Sequence, residues 1–85
     1  MLKKNEAVMW AFTPNGIVLH NTERAHFLEL DELGERIWSY VDGSHSAEEI
    51  LEMLRATRPE LDEGRSREVL RTVLADLEFG AFILS

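Results

Sequence analysis

The groups in this sequence able to do chemistry are three histidines, sixteen acidic and nine basic side chains, and no cysteine stands among them. Without a thiol there is no disulfide, no thiolate zinc site and no catalytic cysteine. His20 and His26 fall on two strand-like stretches and His45 on a loop, with no His-x-x-x-His pair to converge on a metal. No metal site and no cofactor is expected. Glu48-Glu49 and Asp62-Glu63 are adjacent in sequence, so on a helix their carboxylates diverge. They are expected to be solvated charge, with a capping role open to Glu49. There is no nucleophile elbow and no glycine-rich phosphate loop, because the five glycines are scattered as turn and stop residues. The chain is not expected to be an enzyme.

What remains is a run of arginines, Arg65, Arg67 and Arg71, set in an apolar helical stripe. Arg67 and Arg71 are four apart and lie beside Leu70 and Leu74. The stripe serves equally as plain core, with the arginines paired to Glu63 and Glu68, or as a groove wall meeting acidic groups on a ligand.

The elements that hold these residues follow from periodicity. Val8, Trp10 and Phe12 alternate with Met9 and predict a first strand over 7–12. Thr13-Pro14-Asn15-Gly16 is a turn, and 17–20 a second strand. Ala25 to Leu30 is the third, making a meander. Asp31 then stands at a helix N-cap, since its carboxylate can accept from free first-turn N–H groups. A first helix follows over 32–41, with Gly43 as its stop. Ser46 and Glu49 form a capping box for a second helix, which Pro59 ends. The third helix covers 65–79, with Val69, Leu70, Val73, Leu74 and Leu77 at three-four spacing. Residues 1–6 are expected to be a frayed tail. Ala81 to Leu84 is apolar and should dock on the core or pair with a strand.

The expected fold is therefore α+β: a three-stranded antiparallel β-sheet followed by three α-helices, winged helix-turn-helix-like, in one domain spanning residues 1–85. A chain of this length builds one small core and no deep two-lobed cleft. No apolar run approaches the roughly 20 residues of a membrane span, so no membrane association and a cytoplasmic location are expected. The net charge of −7 repels nucleic acid and anionic lipid. In a meander an outer strand keeps a free edge, and Ala25 to Glu29 has no proline or lysine to block pairing there. Such an edge is a rail to which an extended peptide can add as a new strand.

Leu30-Asp31 entering a helix, Ile37-Trp38, Asp42-Gly43, the run Ser46-Ala47-Glu48-Glu49-Ile50, then Glu68-Val69, Leu74, Leu77 and Gly80 resemble in order and spacing the PqqD-like family. Its members are recognition elements for ribosomally made precursor peptides, and the resemblance covers about residues 16–84. It implies a peptide-binding module whose partner is a precursor's leader. The leader adds to the third strand beside the third helix, and a separate maturation enzyme, such as a leader peptidase or a radical SAM enzyme, then acts. By position, the backbone of Ala25, His26, Phe27, Leu28 and Glu29 would pair with the leader. Leu70 and Leu74 would line its pockets, and Arg67 and Arg71 would steer acidic leader residues. Members devoted to quinone synthesis usually carry Pro-Glu before the third strand, where this chain has Asn21-Thr22-Glu23-Arg24. A lasso-peptide or radical SAM pathway fits at least as well. Two other readings stand beside this one: a winged-helix DNA-binding regulator, and an interaction domain that dimerises through its free edge or apolar tail. The expected state is a monomer or weak dimer.

Overall fold

Pro14-Asn15 is the two-residue turn from which the main sheet grows. In the computed structural model, which describes residues 1–84, it joins β2 (Val8–Thr13) to β3 (Gly16–Asn21), and β4 (His26–Asp31) pairs along the other side of β3. Both pairings are antiparallel and continuous, from Val8 opposite Asn21 to Thr13 opposite Gly16, and from Gly16 opposite Asp31 to Asn21 opposite His26. The last strand arrives so close to the turn that a Cβ on Gly16 would fall 1.9 Å from the carbonyl oxygen of Leu30. Only glycine permits that approach.

Asp31 leads straight into α1 (Glu32–Tyr40), its Oδ1 accepting from the Gly34 N–H at 2.9 Å. α2 (Ala47–Thr57) opens on the full capping box: Ser46 Oγ accepts from Glu49 N–H at 3.3 Å, and Glu49 Oε1 from Ser46 N–H at 2.8 Å. α3 (Glu63–Phe79) begins two residues earlier than its apolar stripe suggests, because Asp62 Oδ1 accepts from Arg65 N–H at 2.7 Å. The helices pack on one face of the sheet. Ile17, Leu19, Ile37, Val41, Ile50, Leu54, Leu77 and Phe82 are fully buried between the layers. Each such side chain contributes roughly 1.5–3 kcal/mol of burial free energy.

Three expectations are corrected. Residues 1–6 are not a frayed tail, because β1 (Leu2–Lys4) is the centre of a second sheet, between β5 (Asp42–His45) and β6 (Ile83–Leu84). Lys4 explains part of its order: its Nζ donates to the Val41 carbonyl at 2.7 Å and lies 4.8 Å from the centre of the Trp38 ring. The link between the first two helices is accordingly a strand, not a loop. Gly43 does not close α1; the cap is Val41, and Gly43 takes its positive φ of 87° within β5. The tail after α3 does pair: β6 lies on β1, and Phe82 and Ile83 are buried.

Candidate functional site

Antiparallel ladders alternate: each residue directs its N–H and C=O to the neighbour on one side, and the next residue to the other. The two-residue turn makes Thr13 and Gly16 a mutually bonded pair. Counting from it, Ile17, Leu19 and Asn21 bond to Leu30, Leu28 and His26. The N–H and C=O of Phe27, Glu29 and Asp31 therefore point outward. Among the described residues β4 has no neighbour on that side. The sequence-predicted stretch is an open hydrogen-bonding edge, with one change. Ala25 is not part of the strand; it sits in the preceding turn at a φ of 51°, where the chain reverses from Asn21.

Alternation also sorts the side chains. Leu30 is buried and Leu28 and His26 are partly buried, on the helical side. Phe27 and Glu29 face the opposite, solvent side, where the Phe27 ring stacks on His20 at 4.2 Å and 6°. Across from the edge stands α3. Asp31 and Leu33 at the start of α1 face Arg65, Glu68, Val69, Thr72 and Val73 around a cavity of about 290 Å³. At the other end of β4, His26 meets the ring of Phe79 edge-on at 5.6 Å and that of Phe82 at 5.7 Å. The result is a groove with an apolar wall of Leu33, Val69 and Val73, charges at one mouth, and an exposed aromatic, Phe79, at the other.

Arg67, Leu70, Arg71 and Leu74 do not line this groove. They lie on the opposite flank of α3, where with Ala47, Glu48 and Leu51 they border a shallow depression between α2 and α3. Leu70 and Leu74 are buried there as core. Arg67 is engaged by Glu48 at 3.0 Å and Glu63 at 3.5 Å. The hydrogen bond it donates to Glu48 is the main reason its guanidinium holds its proton even more firmly than usual. The geometry is that of the helix: at 100° per residue, positions 67, 70, 71 and 74 cluster on one side and 65, 69, 72 and 73 on the other. The apolar stripe wraps far enough to include both flanks. Val69 and Val73 belong to the same stripe as Leu70 and Leu74. In the sequence Arg65 reads only as the first of three arginines and Leu33 only as a first-helix apolar position, and Thr72 carries no signal.

His20, His26 and His45 are dispersed, and among the described residues no group of three His, Asp or Glu side chains gathers to hold a metal. His45 instead shares a 2.9 Å hydrogen bond with Asp42. No helix among the described residues is long and apolar enough to cross a membrane.

The family described as coenzyme PQQ synthesis protein D (PqqD) matches residues 16–79. Two solved structures share the fold. "TbiB1 in Complex with the TbiA(beta) Leader Peptide" is 27% identical, covers 95% of this chain and 93% of that one, and superposes with a TM-score of 0.80. "Lasso peptide synthetase B1 complexed with the leader peptide" is 14% identical, covers 99% and 98%, and gives 0.79. No curated protein sequence matches the chain. The chain belongs to the PqqD family.

Proposed function

We propose that this member of the PqqD family binds the leader segment of a ribosomally made precursor peptide and presents it to a separate modifying or cleaving enzyme. The reading rests on one observation: the unpaired edge of β4 runs beside the open groove of α3. The similarity to TbiB1, a protein solved with a leader peptide, supports it. The leader adds as an extended strand. Its backbone pairs with the outward groups of Phe27 and Glu29, and alternate side chains enter the groove at Leu33, Val69 and Val73. Arg65, at the mouth, meets an acidic leader residue.

The protein acts by effective concentration and not by bond chemistry. A leader held at the enzyme's side turns the second encounter into an intramolecular one, at millimolar effective concentration for a short tether. The pathway is of lasso-peptide or radical SAM type, and a leader peptidase is the simplest partner enzyme. The DNA-binding reading loses its basic face, since Arg67 is already paired with Glu48 and Glu63 on a chain of net charge −7. Phosphate neutralisation supplies most non-specific affinity for DNA, and little is on offer here.

The test is fluorescence anisotropy with labelled leaders from precursor reading frames beside the gene. One leader should bind, and Val73→Asp should weaken it at least tenfold while the protein stays folded. An Arg67→Ala, Arg71→Ala double variant should bind within about twofold of the parent, a difference under ~0.5 kcal/mol. Folded protein that binds none of these leaders would overturn the function. Loss confined to the arginine variant would move the site to the other flank of α3.

A further inference from the structure

The main sheet has a second open edge. β2 is its other outer strand, and among the described residues only β3 pairs with it. By the same alternation that exposes Phe27 and Glu29, the N–H and C=O of Trp10 and Phe12 point away from β3. Val8, at the strand's start, is already engaged, its N–H donating to the Asn5 carbonyl at 3.0 Å. The strand, Val-Met-Trp-Ala-Phe-Thr, carries no charge and no proline. These are the devices that normally blunt an edge. Its apolar side chains are exposed on both faces: Met9 by 66%, Trp10 by 48% and Phe12 by 70%. Beneath Trp10 and Phe12 lies a cleft of about 270 Å³ between the strand and α1, lined also by Lys4, Glu35 and Trp38.

We infer that β2 is a self-association edge, where a second copy of this chain pairs antiparallel across a twofold axis. An isologous interface requires a patch complementary to itself, and the register meets that requirement. With the axis through Ala11, Trp10 of each copy stands opposite Phe12 of the other. Both residues have outward groups, so the two strands exchange four backbone hydrogen bonds. The same register makes two cross-strand Trp–Phe pairs over the clefts, a favourable pairing. Met9 lies against Thr13 of the other copy on the outer face.

Charge decides how strong this contact is. Each copy carries −7, yet none of it lies on β2, and the cleft beside it holds one positive and one negative group, Lys4 and Glu35. Repulsion therefore comes from the bodies of the two molecules, and salt screens it over about 8 Å. Added salt should tighten the pair. Taking 150–250 Å² as the area an aromatic buries, Met9, Trp10 and Phe12 offer roughly 300–400 Å² per copy. A standard interface buries about 800 Å² per partner. The dimer is weak and reversible, and its twofold axis lies on the side of the sheet away from β4. Both β4–α3 grooves stay open. The inference is independent of what binds in them.

The test is sedimentation equilibrium of the full chain from about 10 μM to about 1 mM, the span in which weak complexes dissociate. The weight-average mass should climb from 9.8 kDa toward twice that value, more steeply at higher salt. Phe12→Lys, at a side chain too exposed to matter for folding, should raise the dissociation constant at least tenfold. Hydrogen exchange gives a second readout that needs no variant: with rising concentration the Trp10 and Phe12 amides should gain protection, and those of Phe27 and Glu29 should not. A mass of one chain at every concentration would overturn the inference. So would undiminished association of folded Phe12→Lys, or protection appearing at Phe27 and Glu29, which would put the seam on β4.

Discussion

Glu29 and Leu28 are neighbours on one strand, and proline at each should have opposite consequences. Leu28 stands opposite Leu19 in a mutually bonded pair, whereas Glu29 stands opposite Val18 with its N–H and C=O turned outward. Glu29→Pro therefore removes no bond of the sheet. Proline is tolerated where the missing N–H faced solvent on an edge strand, and the extended backbone it demands of the preceding residue is already present in β4. What it removes is the donor that a leader strand would use, and it sets a ring where the leader's carbonyl must approach. Removing the donor while the leader's carbonyl stays in place costs about 1–3 kcal/mol. A loss of that size weakens binding roughly 5- to 150-fold. Glu29→Ala is the control for the lost side chain, which points away from the groove, and should bind as the parent does. Leu28→Pro should instead break the β3–β4 ladder and lower stability, whatever happens to binding. The assay is leader anisotropy on protein whose circular dichroism and urea midpoint are measured in parallel. Folded Glu29→Pro that binds leader at parental affinity would refute strand addition at β4. It would also refute the ladder parity, if Leu28→Pro proved the better-folded variant.

Other outcomes follow from single contacts. Asn21 is 1% exposed, and its amide donates to the carbonyls of Gly80 at 2.8 Å and Ala81 at 3.0 Å. Asn21→Ala strands the Gly80 carbonyl, while Ala81 keeps the Asn5 amide at 2.9 Å; it should cost about 1–3 kcal/mol, read from the urea midpoint. Gly16→Ala places a carbon against the Leu30 carbonyl oxygen and should cost more than about 3 kcal/mol or abolish folding, read by thermal melting. Acid should weaken the fold through two turns. The Ser46 N–H holds the Glu49 carboxyl below its ordinary 4.5. The Ser44 N–H, followed by the His45 ring, holds Asp42 below 3.8. With folded values depressed, the unfolded chain takes up protons first as pH falls. The stability these groups contribute is therefore complete above the ordinary values and is lost as pH drops through the folded ones. A urea midpoint that falls over this range, and falls less in Glu49→Gln, is the expected result.

What the sequence disclosed was what neighbours decide. Asp31, Ser46 and Glu49 cap helices because each carboxylate or hydroxyl reaches an N–H three residues away, and that spacing is written in the chain. The hairpin at Pro14-Asn15 and the open third strand are local in the same sense. β1, β5 and β6 are not. Asp42-Gly43-Ser44-His45 has no strand preference of its own. It is extended because Leu2 and Lys3 of β1 lie against it, and β1 is held in turn by Leu84 opposite Lys3 and Ile83 opposite Lys4, from the far end of the chain.

The groove failed to show for a related reason. Both flanks of α3 carry aliphatic residues at helical spacing, and periodicity cannot say which of them meets α2. Arg67 and Arg71 border the depression between α2 and α3 and not the cavity beside Asp31 and Leu33. Arg67 lies on the flank that α2 covers, and Glu48 on α2 answers it. A charge already matched within the fold has little left for a ligand. The other flank carries Val69, Thr72 and Val73, short side chains that leave a cavity beside Asp31 and Leu33 unfilled. Larger residues there would fill that space. On the function proposed above, short side chains on one helix, opposite a strand with unpaired backbone, are the mark of the site. It becomes visible only when the flank of the helix is known.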